Sequence, residues 1–149
     1  MNLIIFPHQL YNIGFEGYNI YIVEDSRYFS DHGYHKLKLA YHRATMRKYY
    51  NKIKKYKPKY IEFNKVTNQF YKKLKEIYIY DPYDNILLKK LKKLVKVNIL
   101  ENKQFLISVN EINEIKNKIS PNDKYKHDIF YKIMRIKYNI LVDGDKPIG

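Results

Sequence analysis

The sequence predicts an α/β fold: a Rossmann-like, doubly wound, mostly parallel five-stranded sheet flanked by helices. Short runs of β-branched and aromatic residues alternate with longer lysine-rich segments, which is typical of βα units. Apolar residues recur at helical spacing within the longer segments. Five such repeats fit into about a hundred residues, as an open doubly wound sheet requires. With 149 residues, 45% of them apolar, the chain is long enough to bury one core.

Five runs are predicted as strands because each is short, apolar and bounded by a turn or by charged residues. The first run stops at Pro7 and the second at Glu24 and Asp25. The predicted strands are Leu3–Phe6, Asn19–Val23, Lys59–Phe63, Ile77–Tyr80 and Val97–Leu100.

Three segments between these strands are predicted to be helical, two of them as whole helices and one as a segment that contains a short helix. His35–Tyr56 carries apolar residues seven, four and three positions apart and ends before Pro58. Asn64–Lys75 can hold a short helix capped by Thr67 or Asn68. Asn85–Lys93 repeats leucine at helical spacing, which is typical of a helix that covers a sheet.

The last third of the chain has a different pattern. It predicts two helices, Val109–Ile119 and His127–Asn139, with a break at Ser120–Asp123. The closing segment Val142–Gly149 is rich in turn residues and is typical of a linker. We therefore expect an α/β domain at residues 1–108, followed at 109–149 by a helical extension and the start of a linker in which the chain stops.

The composition is strongly basic, with 29 Lys and Arg against 15 Asp and Glu, a net charge of +14. Of the 29 basic residues, 25 are Lys and 4 are Arg, and Asn, Ile and Tyr are also abundant. A/T-rich codons would produce this composition in a large DNA virus or an A/T-rich microbe. The charge attracts polyanions, but base readout favours Arg. The composition allows weak, non-specific DNA binding by a lysine-rich module, and it equally allows a solvated surface.

Several classes of site and location are excluded or disfavoured. The chain has no Cys, which excludes disulfides, thiolate zinc sites and iron–sulfur clusters held by its own residues. No apolar run approaches the ~20 residues that cross a bilayer, and the N-terminus does not resemble a signal peptide. We therefore predict a soluble, cytoplasmic protein without a membrane partner.

The remaining motifs give weak signals for catalysis, phosphates or metals. Gly14–Gly17 lacks the third glycine of a dinucleotide-binding loop, and no P-loop is present. No serine has the context of a hydrolase nucleophile. His32, His35 and His42 are close in sequence, but loop-anchoring roles are commoner for single histidines than a shared metal.

Polar residues follow the first two predicted strands, where an open α/β sheet collects its ligands. His8, Gln9 and Leu10 follow the first strand, and Glu24 follows the second. Gln9 and Glu24 are suited to hydrogen-bond a flat, amide-rich heterocycle on which tyrosines could stack. Helix caps and loop hydrogen bonds explain the same residues equally well at this stage.

These residues belong to an ordered set of motifs that resembles the deoxyribodipyrimidine photolyase-related proteins, also called iron–sulfur bacterial cryptochromes and photolyases. The family's first strand is followed by Gly-Asp-Gln-Leu, its second ends in Glu, and a His-His-Lys-Lys-Lys stretch then leads into a helix with Ala-Met-Arg. Later come Phe-Leu-x-Ser, a Phe-Tyr-Arg-x-Met-Arg helix and a Gly-x-x-Pro-Val-Gly-Gly turn. The matching segments are Pro7–Leu10, Glu24, Tyr34–Ala40, Ala44–Arg47, Phe105–Ser108, Phe130–Arg135 and Gly144–Gly149.

The resemblance implies the N-terminal antenna domain of a photolyase. In the family this domain holds a light-harvesting dimethyl-ribityl-lumazine and passes excitation to a flavin. The binding residues would map onto His8, which stands where the family has Asp, and onto Gln9, Leu10 and Glu24. The FAD pocket and the cluster cysteines belong to a helical domain beyond the position of Gly149. FAD and an iron–sulfur cluster are therefore not expected in this chain, nor is catalysis by it alone.

Three hypotheses remain open from the sequence. The first is an antenna domain in DNA photorepair that works with a separately encoded FAD-binding photolyase half. The second is a lysine-rich module that binds nucleic acid without a chromophore. The third is the product of a decayed reading frame that folds and does nothing further.

Overall fold

The structure is a computed structural model that describes residues 1–119, 121–122, 126–144 and 146–148, except the side chains of residues 118 and 147. The chain divides into two compact units, Met1–Gln104 and Phe105–Gly149, called here the N-terminal and C-terminal units. Each has its own secondary structure and is described separately.

The N-terminal unit contains the predicted five-stranded parallel sheet. The strand order is β3-β2-β1-β4-β5, and every neighbouring pair is parallel, as in a doubly wound α/β fold. This confirms the predicted fold class. The strands are β1 (Asn2–Ile5), β2 (Asn19–Val23), β3 (Lys59–Ile61), β4 (Glu76–Tyr80) and β5 (Lys96–Leu100).

Helices connect the strands and cover both faces of the sheet. A short helix α1 that the sequence had not indicated follows β2, and 3-10 turns precede and follow β3. The α-helices are α1 (Ser26–Phe29), α2 (Lys36–Lys52), α3 (Asn68–Leu74) and α4 (Asn85–Leu94), and the 3-10 helices are Lys54–Tyr56 and Phe63–Lys65.

Capping groups and backbone geometry set the limits of α2 and α3. His35 is the N-cap of α2, where its Nδ1 accepts a hydrogen bond from the Leu37 amide at 3.2 Å. After its C-cap Ile53, α2 gives way to the 3-10 turn Lys54–Tyr56, so the α-helix is shorter than predicted. The left-handed backbone of Lys57 (φ 52°) then ends the 3-10 turn before Pro58 and β3. Of the two predicted caps of α3, Thr67 is the one used: its Oγ1 accepts from the Phe70 amide at 3.2 Å.

The core consists of one apolar cluster on each face of the sheet. Successive residues of a strand point to opposite faces, so Leu3 and Ile5 join one cluster and Ile4 joins the other. The first cluster packs under α2 through Met46, Tyr49 and Ile53, and the second packs under α3 and α4 through Tyr71, Leu87 and Leu91. A sheet buried on both faces explains why its strands read as continuous apolar runs.

The C-terminal unit contains the two predicted helices and a small hairpin. The helices are α5 (Val109–Lys118) and α6 (His127–Lys137), and the hairpin pairs β6 (Val142–Asp143) with β7 (Lys146–Pro147). Ser108 and Glu111 form a capping box at the start of α5. Of the predicted break, Ser120 and Asp123 lie outside the described residues, as do Asp145 and Gly149 of the closing segment.

Candidate functional site

A cavity of about 480 Å³ lies at the carboxyl edge of the sheet, where the strand order reverses. The chain runs outward from β1 to β2 and β3, then crosses to β4 and β5 on the other side. In open α/β sheets this switch point is where ligands bind. The walls of this switch-point cavity come from the loop after β1, from α1 and from the segment joining β4 to α4: His8, Arg27, Tyr28, Pro82, Tyr83, Asp84, Asn85 and Ile86.

His8 contributes an imidazole whose ring nitrogens make no hydrogen bond of normal geometry, although the Pro82 carbonyl is near enough to act on the ring. Both ring nitrogens are shielded from solvent, and neither makes a hydrogen bond within the described residues. The ring stacks on Phe6 at 6.4 Å between centroids and lies 5.1 Å from the Tyr28 ring. Burial lowers the pKa of His8, although Asp84 and the Pro82 carbonyl act in the opposite direction, so the ring is neutral at neutral pH.

Tyr28 presents a second buried polar group at the same place. Its hydroxyl, like the nitrogens of His8, has no hydrogen-bond partner within the described residues. Burial raises the pKa of Tyr28, and the negative charges of Asp84 and Asp25 raise it further, so the hydroxyl keeps its proton. Buried polar groups are normally satisfied, and two orphaned groups at one cavity, on rings whose centroids lie 5.1 Å apart, indicate a site for a ligand or ordered water.

Arg27 and Asp84 form an ion pair across the cavity wall. Arg27 Nε donates to Asp84 Oδ2 at 2.6 Å, and its Nη1 lies 2.8 Å from His32 Nε2. The other oxygen of Asp84 accepts from the Ile86 and Leu87 amides at 3.0 Å and so caps α4. Burial alone would raise the pKa of Asp84, but these hydrogen bonds outweigh it and lower the value. The pair is therefore charged at neutral pH.

Gln9 ties together the two strands at the switch point. Its side chain is fully buried, and its Oε1 accepts from the Phe6 amide at 3.3 Å. Its Nε2 donates to the Tyr80 carbonyl at 2.7 Å, which joins the ends of β1 and β4. Leu10, the next residue, is partly buried against the cluster under α2. Neither residue is among those that line the cavity.

Glu24 is fully buried at the end of β2, and its carboxylate oxygens are occupied by protein groups. Arg43 binds both oxygens, at 2.8 and 2.7 Å, and the Tyr60 hydroxyl donates at 2.6 Å. The Phe63 amide donates at 3.1 Å. These hydrogen bonds outweigh burial and lower the pKa of Glu24. Glu24 thus holds β2 to α2 and to the segment that follows β3.

Asp25 connects the same strand end to the opposite face of the sheet. It is fully buried and accepts from the Tyr71 hydroxyl of α3 at 2.6 Å. The Nζ of Lys90 in α4 lies 3.1 Å from both carboxylate oxygens of Asp25. Asp25 Oδ1 also caps α1, where it accepts a hydrogen bond from the Arg27 amide at 2.9 Å. Burial and then the negative charge of Asp25 raise the pKa of Tyr71 well above its usual value. Asp25 therefore fixes α1, which carries Arg27 and Tyr28 into the cavity wall.

Comparison with known proteins places this chain in a family. The family described as deoxyribodipyrimidine photo-lyase-related protein matches residues 3–149. The chain belongs to this photolyase-related family. A similar protein is an uncharacterized protein of Acanthamoeba polyphaga mimivirus, 31% identical over 170 residues, with 98% of this chain and 87% of the viral protein covered. The similarity therefore extends along nearly the whole of both chains.

Within this photolyase-related chain, His8 is the predicted binding residue that lines the switch-point cavity, while Gln9, Leu10 and Glu24 are not among its lining residues. Sequence reasoning did not find Arg27, Tyr28 and Asp84 as site residues. Asp84 could have been found, since it precedes a helix that follows a strand and so caps that helix at the carboxyl edge. Arg27 and Tyr28 had no such signal because α1 has only four residues.

The other candidate motifs have local structural roles. His35 caps α2, His32 contacts Arg27, and His42 packs 6.3 Å from the Phe29 ring. No group of three potential metal ligands occurs among the described residues. A second depression of about 460 Å³ lies along α6 alone, and walls from a single helix do not enclose a ligand. Nowhere in the described parts of the chain is a helix both long and apolar enough to span a bilayer.

Proposed function

We propose that the switch-point cavity binds a flat heteroaromatic antenna chromophore of the lumazine type, and that this photolyase-related chain serves DNA photorepair as an antenna domain. The single observation that carries the proposal is the pair of orphaned polar groups, His8 and Tyr28, at the edge of the sheet where such folds bind ligands. Membership in the photolyase-related family supports the ligand class.

The residues present fit such a ligand. The cavity volume of about 480 Å³ falls within the range of small-molecule sites. Tyr28, Pro82 and Ile86 provide apolar and aromatic surface for a flat ring. A neutral His8 can donate one hydrogen bond and accept another, and the Tyr28 hydroxyl can donate, which suits a ring edge that alternates carbonyls and nitrogens. Gln9, Leu10 and Glu24 serve as positioning residues in this proposal.

The proposed role is binding and orientation of the chromophore, because the charged groups of the cavity are already engaged. Arg27 is paired with Asp84, and Asp84 also caps α4, so neither is poised to transfer protons. When bound, such a chromophore absorbs light and passes its excitation to a flavin. The flavin, and with it any iron–sulfur cluster, would be held outside these 149 residues, and electron transfer from the flavin would perform the repair.

Direct titration with dimethyl-ribityl-lumazine tests the proposal. We expect fluorescence polarisation of the ligand to rise on binding, and His8→Ala to weaken affinity about tenfold, the cost of roughly one buried hydrogen bond. Tyr28→Phe removes the hydroxyl alone and should weaken binding by a smaller factor. Tyr41→Ala is the control, because Tyr41 is 70% exposed and lies outside the cavity on α2.

Two results would contradict the proposal. The first is no binding at about 50 μM lumazine, a free energy weaker than about −6 kcal/mol, beside a family member that binds under the same conditions. The second is binding that both cavity variants leave unchanged, which would place the chromophore elsewhere on the chain.

A further inference from the structure

The topology of the N-terminal unit gathers lysines at one edge of its sheet. All five strands are parallel, so their starting ends lie together at the edge opposite the switch-point cavity. The crossover helices run antiparallel to the strands and therefore finish at this same edge. We call the helix ends and strand starts that meet there the amino edge.

Each of the three crossover helices finishes in lysines at the amino edge. Eleven lysines lie there, and all are exposed: Lys52, Lys54, Lys55, Lys57, Lys59, Lys72, Lys73, Lys75, Lys92, Lys93 and Lys96. The edge also contains Glu16 and Glu76. Within Met1–Gln104, all of which the structure describes, Lys96 is the only one of the eleven in a salt bridge, to Glu76 at 2.8 Å.

Hydrogen bonds join the start of β1, the end of α3 and the start of β5 at this edge. Asn2 Nδ2 donates to the carbonyls of Leu74 and Glu76, both at 3.2 Å, which joins the start of β1 to the end of α3. The Lys96 amide donates to the Lys75 carbonyl at 3.2 Å, which joins α3 to β5. Five strands at a spacing of about 4.8 Å give this surface a width of ~19 Å.

Carboxylates are concentrated at the opposite edge. Each of β2, β3, β4 and β5 is followed within four residues by at least one acidic residue: Glu24, Asp25, Glu62, Asp81, Asp84 and Glu101. Biased codon usage would distribute lysines without regard to the edges of the sheet. Lysines near helix C-termini also complement the helix dipole, but Lys57, Lys59 and Lys96 lie outside α-helices. Neither codon usage nor the helix dipole therefore accounts for all eleven lysines of the amino edge.

We propose that the amino edge is a docking surface for the phosphate backbone of duplex DNA, independent of the switch-point cavity. Along the axis of duplex DNA each strand places one phosphate about every 3.4 Å, so a 19 Å row of ammonium groups aligned with that axis covers the rise of roughly five phosphates of one strand. Lysine supplies point charges for phosphates, whereas base readout favours arginine, and the amino edge has no Arg among its eleven basic residues. The surface therefore binds without regard to base sequence.

The aromatic residues favour a duplex over a single strand. Single-strand binders stack bases on exposed aromatic rings. Within Met1–Gln104, the strongly exposed aromatic side chains are Tyr41, Phe63 and Tyr83, which lie in α2, after β3 and after β4, away from the amino edge. Tyr18 and Tyr56 at this edge are partly buried in the core cluster under α2.

The experiment compares two full-length variants with equal loss of charge. The edge variant carries Lys54→Gln, Lys55→Gln, Lys72→Gln and Lys73→Gln. The control variant carries Lys36→Gln, Lys38→Gln, Lys48→Gln and Lys65→Gln, exposed lysines outside the amino edge. Binding of an undamaged, fluorescently labelled DNA duplex is measured by anisotropy across a salt series, and circular dichroism establishes that both variants are folded.

We expect the edge variant to bind at least about tenfold more weakly and to lose about 3 from the slope of log affinity against log salt, since each phosphate contact contributes ~0.9. The control variant should stay within about threefold of the unmodified chain. Equal weakening of both variants would overturn the proposal, because the net charge alone would then explain binding. Absence of duplex binding at low salt, tighter binding to single strands, or lysine-dependent binding only to phosphatidylserine vesicles would overturn it as well.

Discussion

At the scale of single residues, the two partners of the Glu24–Arg43 ion pair differ in burial, and so should the cost of removing each of them. The Glu24 carboxylate is fully buried, while the paired Arg43 side chain is 54% exposed. Removing Arg43 leaves a buried charge without its cation, whereas neutralising Glu24 lets Arg43 turn into water. We therefore expect Arg43→Ala to cost about 2–3 kcal/mol of unfolding free energy and Glu24→Gln only about 1–2 kcal/mol, measured by urea denaturation.

The pH dependence and a surface control separate this interpretation from a general loss of charge. The pKa of Glu24 is lowered in the fold, so its pairing stabilises the protein above the ordinary value of 4.5, and this stability is lost as pH falls below it. The difference between the unmodified chain and Arg43→Ala should shrink from pH 5 towards pH 3. Arg47→Ala breaks a half-exposed pair with Glu62 and should cost under about 1 kcal/mol. A larger loss in Glu24→Gln than in Arg43→Ala would contradict the argument.

At the scale of elements, Asp84 starts α4 and also shapes the switch-point cavity. One of its oxygens caps the helix and the other binds Arg27. Asp84→Ala removes both interactions and should cost about 1–2 kcal/mol of unfolding free energy. Asp84→Asn keeps a good cap and weakens only the ion pair, so its loss should be about half as large in the same denaturation experiment. Equal losses would mean that the cap contributes little.

The elements also show what the sequence could and could not predict. All five strands were found because a sheet covered on both faces needs continuous apolar runs such as Ile77–Tyr80. The end of α2 was placed four residues too late, because the predicted helix includes the 3-10 turn Lys54–Tyr56 that follows α2. Helix α1 was missed because four residues held by the Asp25 cap and by tertiary contacts have no periodicity of their own.

At the scale of the whole molecule, the candidate site depends on topology more than on motifs. The sequence placed His8 at the end of a strand, but its neighbours in space follow from the order β3-β2-β1-β4-β5. That order brings the loop after β1 beside the loop after β4, and so sets His8 beside Asp84. Gln9 and Glu24 are fully buried and therefore bond to protein groups. Their residue types alone do not predict this burial.

The two-unit organisation predicts that the N-terminal unit folds without the rest of the chain. Among the residues that the structure describes, both of its core clusters consist wholly of residues between Leu3 and Leu100. A chain ending at Gln104 should therefore show a cooperative thermal transition within about 5 °C of the corresponding transition in the full chain, because loss of under ~1 kcal/mol moves a domain of this size by that much. Circular dichroism at 222 nm provides the measurement. A truncated chain without cooperative unfolding would show that residues after Gln104 are needed to complete its core.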